Sequence, residues 1–135
     1  IPAAEFFRDA LTTAIEPGEL LVAVSLPAAE QGSRAAFREY ARRKGDFAIA
    51  SAAVQFTPAG RVLHAGVGGV GPVPHRCSGL EDAVRGGCSR AEIAALVRRE
   101  VDAIDAMTDQ QASGEYRRRL GMTALMDCLD EVLPK

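Results

Sequence analysis

GELLVAVSLP (Gly18–Pro27) and AAFREYARRKGDFAIASAAV (Ala35–Val54) are the stretches whose reading decides the fold. They predict three consecutive strands, with a basic turn of Arg42, Arg43, Lys44 and Asp46 between the second and third. Leu20 to Leu26 is rich in Leu and Val and closes at Pro27. Ala35 to Arg42 alternates, with Ala36, Arg38, Tyr40 and Arg42 on one face and Ala35, Phe37, Glu39 and Ala41 on the other. Phe47 to Phe56 carries small or apolar residues on both faces except at Ser51 and Gln55, the pattern of a central strand packed closely by a helix. Two of these strands are too apolar for a half-solvated sheet, so something must cover them.

Around this centre the chain reads as follows. Phe6, Phe7, Ala10, Leu11 and Ala14 recur at helical spacing, predicting a short helix over Ala3–Ala14 that Pro17-Gly18 ends with a turn. Thr57-Pro58-Ala59-Gly60 is hairpin chemistry, and Arg61–Val70 returns as another strand. Leu80–Val84 predicts a short helix. Ser89 with Glu92 three residues on forms a capping box, and the helix it opens puts Ile93, Leu96, Val97, Val101 and Ile104 on one face. A polar loop, Thr108 to Ala112, leads to a final helix capped by Ser113. Tyr116, Leu120, Ala124, Cys128, Leu129 and Val132 form its expected buried stripe. Strands first and helices afterwards predict an α+β domain: an antiparallel meander sheet of about four strands, backed on one face by three helices.

Composition excludes several classes. The 135 residues make one domain large enough for its own core. A net charge of -2 argues against nucleic-acid binding. There is no apolar run of the length a membrane span needs and no signal-peptide pattern, so a cytoplasmic location without a membrane span is expected. The chain opens on Ile1-Pro2 without Met, which suggests a segment of something longer or a processed product. Cys77, Cys88 and Cys128 are too few and scattered for a disulfide framework or an iron–sulfur cluster. His64 and His75 stand alone in the sequence without metal-ligand spacing, so no metal ligand is assigned. No Ser/His/Asp arrangement, Cys–His pair or close carboxylate pair presents itself, so no catalytic residue is assigned either.

Gly66-Val67-Gly68-Gly69-Val70-Gly71 satisfies G-x-G-x-x-G literally. A dinucleotide fingerprint also needs those glycines to open a helix, whose free N–H groups hold the pyrophosphate. Pro72 and Pro74 follow instead and keep the chain extended. The glycines therefore read as places of close backbone approach, and the chain has no diphosphate cradle of its own.

Taken in order, the motifs carry a resemblance. They are Phe6-Phe7, Thr13–Leu21 (TAIEPGELL), Ala36-Phe37-Arg38, Arg43–Ala50 (RKGDFAIA), Gly68–Pro72 (GGVGP) with Pro74 and Arg76, Glu81, Val84 and Gly86, and Glu115–Arg118 (EYRR). This sequence resembles the C-terminal domain of the FAD-binding medium subunit of the molybdenum hydroxylases, the xanthine dehydrogenase and carbon monoxide dehydrogenase family. It departs from that pattern at Asp9, where a glycine is usual, and at Arg38, where lysine is common.

The resemblance implies an oxidoreductase role in electron transfer, from iron–sulfur clusters through FAD to an external acceptor. It implies partners: an FAD-binding domain that precedes this one and is absent here, an iron–sulfur subunit and a molybdopterin subunit. By motif, Leu21 and Arg38 would lie near the flavin, Leu21 packing on the ring and Arg38 favouring its reduced, anionic form. FAD shared in this way is not expected to stay with the isolated chain. A non-catalytic dimerisation or subunit-docking module is the alternative reading, and a homo-oligomer is left open.

Overall fold

The computed structural model describes residues 1–134. Its centre is a four-stranded antiparallel sheet. The strands are β3 (Arg34–Tyr40), β4 (Ala50–Thr57), β5 (Val62–Gly68) and β6 (His75–Arg76), in that spatial order. The expected α+β meander is therefore present, but its membership differs from the sequence reading. Leu20–Leu26 joins no ladder, and the two-residue β6 takes the fourth place.

The register explains which face is covered. Ala36, Val54 and Ala65 lie on one row, as do Arg38, Ala52 and Val67 on the next. Ala50, Ala52, Val54, Phe56, Leu63, Ala65 and Val67 are all buried under the helices. On the other face Phe37, Ala53, Gly66 and Arg76 share a row, and Ala53 is exposed. Thus β4 is covered on one side only. Ser33 and Thr57 join their hydroxyls at 2.8 Å and fix the start of β3 to the end of β4.

Strand boundaries follow the turns. Gly45 takes φ 91°, the Asp46 N–H donates to the Arg43 carbonyl at 3.1 Å, and the Ile49 N–H donates to Tyr40 O at 2.7 Å. The loop thus runs to Ile49 and β4 starts at Ala50. Phe47, predicted to open the strand, stands 87% exposed outside it. The Thr57–Gly60 hairpin is present, with Gly60 and Arg61 both at positive φ.

Three helices stack on the covered face. α2 (Ser78–Arg85) lies on β5, and α4 (Gly114–Val132) lies on β3 and β4. α3 (Arg90–Asp102) packs against α2 and α4. The capping box is formed: Ser89 Oγ accepts from the Glu92 N–H, and Glu92 Oε2 accepts from the Ser89 N–H at 2.7 Å. Ser113 Oγ likewise accepts from the Tyr116 N–H at 3.2 Å. Small residues let α4 approach the sheet: a β-carbon at Gly121 would sit 2.8 Å from Val70 Cγ2. The stripe on α4 differs at its first turn. Tyr116 is 42% exposed, and Arg117 takes the inward position at 4%.

The predicted Ala3–Ala14 helix ends after one turn, α1 (Ala3–Phe6). A two-stranded ribbon follows, β1 (Phe7–Asp9) with β2 (Thr12–Thr13). Asp9 Oδ1 accepts from the Ala10 N–H at 2.7 Å and the Thr12 hydroxyl donates to Ala10 O at 3.2 Å. These local bonds compete with the helix, which β-branched threonines also disfavour.

Candidate functional site

Two outward surfaces and two inward polar clusters carry the chemistry of this chain. The first surface is the segment after the Pro17-Gly18 turn. Leu20, Leu21, Val22, Val24 and Leu26 are 82, 53, 87, 71 and 83% exposed. Isolated exposed hydrophobes are ordinary, but five in one short segment mark a surface that something covers. Leu21, a predicted flavin contact, is the least exposed of the five and lies outside any strand.

The second surface is the open face of the sheet. A groove of about 780 Å³ runs over Phe37, Ala53, Gly66 and Arg76, with Phe7 of the N-terminal ribbon at its rim. Its lining is predominantly apolar, and Phe37 is 57% exposed.

Arg38, the other predicted flavin contact, lies on the edge strand β3, on the row that faces α4. Its guanidinium pairs with Glu131 on α4 and donates to its neighbour's carbonyl, Phe37 O, at 2.9 Å. Tyr40, two residues on, donates to Asp127 Oδ2 at 3.1 Å, and burial followed by this carboxylate raises its pKa. Arg38 is thus half-exposed and held by a carboxylate. Arg42 reaches Gln111 O at 3.4 Å, while Arg43 and Lys44 are exposed, as solvated surface charge would be.

The first inward cluster centres on Arg117. Its Nη1 donates to Ile49 O and Gly69 O, both at 2.8 Å, and its Nη2 donates to Asp109 Oδ2 at 2.7 Å. These bonds draw in the loop before β4, the end of β5 and the loop before α4. The Arg117 bond, then the Ala112 and Gln111 N–H groups, hold the Asp109 carboxyl below its usual range. The helix pattern gave no sign that a cation would turn inward here. The G-x-G-x-x-G stretch passes through this cluster at Gly69. Gly69, at φ 74°, passes so near Ala48 and Ile49 that a β-carbon would lie 3.0 Å from Ile49 O. No helix starts there; the chain runs on to β6.

The second cluster was invisible in the sequence because its members come from distant segments. His75 Nε2 lies 3.3 Å from Glu100 Oε2, across 25 residues, and Cys77 Sγ joins them, the ligand atoms all within 4.8 Å of one another. Cys77 is fully buried, and burial, then Glu100 and Glu81, push its thiol up to about 12. Glu81 is buried beside it but otherwise engaged. It accepts from Arg76 Nη2 at 2.6 Å and from the Ala65 N–H at 3.0 Å. Burial alone would raise its carboxyl; these bonds outweigh that and lower it. Among the described residues the three cysteines are free thiols, and no helix is long and apolar enough to cross a membrane.

Known proteins share this architecture. The alpha subunit of the 6-hydroxypseudooxynicotine dehydrogenase complex of Paenarthrobacter nicotinovorans is 33% identical over 138 residues, covering 98% of this chain and 47% of that protein. A carbon monoxide dehydrogenase from Hydrogenophaga pseudoflava, lacking the Mo-pyranopterin moiety of the molybdenum cofactor, superposes with a TM-score of 0.88. That match has 22% identity and covers 98% of this chain and 47% of the other, so it bears on fold alone. Quinoline 2-oxidoreductase from Pseudomonas putida 86 superposes at 0.81, with 25% identity over 95% of this chain and 46% of that one. The chain spans about half the length of these relatives. The family model for the CO dehydrogenase flavoprotein C-terminal domain matches residues 35–132, from the sheet through the last helix. Sheet, helices and sequence agree: the chain belongs to the family of CO dehydrogenase flavoprotein C-terminal domains.

Proposed function

We propose that this chain is the C-terminal domain of the FAD-containing medium subunit of a molybdenum hydroxylase. It forms one wall of the flavin pocket and a subunit interface, while a preceding FAD-binding domain supplies the diphosphate site. The observation that carries this reading is the exposure of Leu20, Leu21, Val22, Val24 and Leu26, an apolar strip that calls for cover. The residues present fit one side of a flat apolar ring. They offer no glycine-rich turn opening a helix for the diphosphate, since Gly66–Gly71 leads into β6. FAD, when bound, takes electrons from iron–sulfur clusters and passes them to an acceptor. This chain's own contribution is to exclude water with Leu21 and to set the local charge with Arg38, whose pairing with Glu131 tempers its field. The iron–sulfur and molybdopterin groups belong to partner subunits, and the assembly works in the cytoplasm.

The test is flavin retention. The isolated chain is expected to purify without FAD. In the complete medium subunit, Leu21→Asp is expected to lower flavin content while leaving the fold intact. Stoichiometric flavin absorbance in the isolated chain overturns the proposal.

One observation favours a second reading as a docking module. The open sheet face presents Phe37 amid Ala53 and Gly66, an apolar groove suited to a partner chain. Size-exclusion chromatography with and without the iron–sulfur and molybdopterin subunits separates the two. Tight self-association that ignores those partners supports docking alone.

A further inference from the structure

We propose that His75, Cys77 and Glu100 form a structural site for a divalent transition-metal ion of the Zn²⁺ class, separate from the flavin-facing surfaces. The three donors converge from β6, the residue that precedes α2, and α3. Imidazole, thiolate and carboxylate are the donor types such ions take. Around a tetrahedral ion with bonds of about 2.0–2.3 Å, neighbouring donor atoms stand roughly 3.3–3.7 Å apart. Nε2 and Oε2 already sit at 3.3 Å, and the full set lies within 4.8 Å. Seating the ion needs only a shift of about 1 Å by the sulfur or the carboxylate.

A second observation marks the place as shaped for the carboxylate. Gly79 faces Glu100, and a β-carbon at that position would collide with Glu100 Oε1. Glycine at this position in α2 leaves room for the carboxylate where it lies between α2 and α3. Charge balances as well. A neutral imidazole, a thiolate and a carboxylate together offset a divalent cation, which suits a site where Cys77 is fully buried. The remaining carboxylate nearby, Glu81, is committed to Arg76 and the Ala65 N–H. His75 is the most accessible member, its side chain 34% exposed, and gives the ion its way in and a water its place as fourth ligand. As the metal–sulfur bond forms, the thiol proton leaves to solvent and no electron is transferred. The bound ion would join the sheet's shortest strand to its outermost helix.

The experiment is Co²⁺ titration of the reduced 135-residue chain, read by absorbance, followed by displacement with Zn²⁺. The expected result is one Co²⁺ per chain, with a thiolate-to-cobalt charge-transfer band and the visible bands of tetrahedral cobalt, both abolished by Zn²⁺. Cys77→Ser is expected to remove the charge-transfer band, and Cys88→Ser to keep it. His75→Gln alters an accessible side chain and keeps the test open should Cys77→Ser fail to fold; it is expected to weaken binding by at least roughly tenfold. Zn²⁺ is also expected to raise the melting temperature of the parent chain and not of Cys77→Ser. Absence of the charge-transfer band in the parent chain, its survival in Cys77→Ser, or unchanged affinity in His75→Gln overturns the proposal.

Discussion

Arg117 donates to the carbonyl oxygen of Gly69 at 2.8 Å, so a cation on the first turn of the last helix closes the end of a central strand. The same nitrogen also serves Ile49 O, and Arg117 is 4% exposed. Two loops and one strand end therefore depend on one side chain. Removing it takes a donor from two buried or half-buried carbonyls and from the Asp109 carboxylate, which keeps the Gln111 and Ala112 N–H groups.

Arg117→Met is expected to destabilise the chain by about 1–3 kcal/mol, the cost of taking this donor from the Ile49 and Gly69 carbonyls, since the paired Asp109 is itself half-exposed. Arg117→Lys is expected to recover only part, because a single ammonium cannot reproduce the fork that reaches three acceptors. Urea denaturation followed by circular dichroism measures both. A loss below 1 kcal/mol for the Met variant contradicts the role assigned to Arg117.

Acid sensitivity follows from Asp109. Its carboxyl lies below the ordinary Asp range in the folded chain, first through Arg117. A depressed folded pKa contributes stability above the unfolded value, near 3.8, which is lost as pH falls towards the lowered folded value. Asp109→Asn is expected to flatten the acid limb of the stability profile between pH about 4 and the lower folded value. An unchanged slope in denaturation midpoints over that window refutes the assignment.

Close approach of α4 predicts intolerance at Gly121. Alanine there gains roughly 1 kcal/mol of helix propensity but places a β-carbon 2.8 Å from Val70 Cγ2, and Val70 is fully buried. Overpacking of about 1–3 kcal/mol outweighs the gain, so Gly121→Ala is expected to lower the melting temperature. A rise would show that helix and sheet separate easily here.

Leu21 gives the opposite expectation. It is 53% exposed and joins no ladder, so Leu21→Ser should change the stability of the isolated chain by no more than about 0.5 kcal/mol. A much larger loss, measured by thermal denaturation, would show that this segment packs on its own domain.

What could be read from sequence was local. Ser89 and Glu92 announce the start of α3 because a capping box is completed within four residues, and the alternation of β3 survives because β4 pairs with it directly. Leu20–Leu26 misled because a Leu- and Val-rich run states that something will cover it, not that a neighbouring strand will. β6 is two residues after two prolines, too short for any period to register. Arg117 sat in a run of three arginines, and a charge run ordinarily reads as solvated surface. His75 and Glu100 were separated by a loop and a helix, so only tertiary packing joins them. Leu21 and Arg38 come from motif resemblance; the exposure of the first and the ion pair of the second are set by tertiary packing, which no local pattern states.

Among the described residues β3 pairs on one side only, with β4, which leaves its other margin as a row of bare amides and carbonyls. The same molecule carries a Leu- and Val-rich ribbon that no ladder has claimed. Such a combination is a template and its own feedstock, the recipe for chain-to-chain polymerisation. Arg34, Arg38 and Glu39 on that edge strand are exposed, and a stacked neighbour would have to bury their charges. Replacing all three with neutral residues is expected to promote edge-to-edge association of the chain, read as a rise in light scattering.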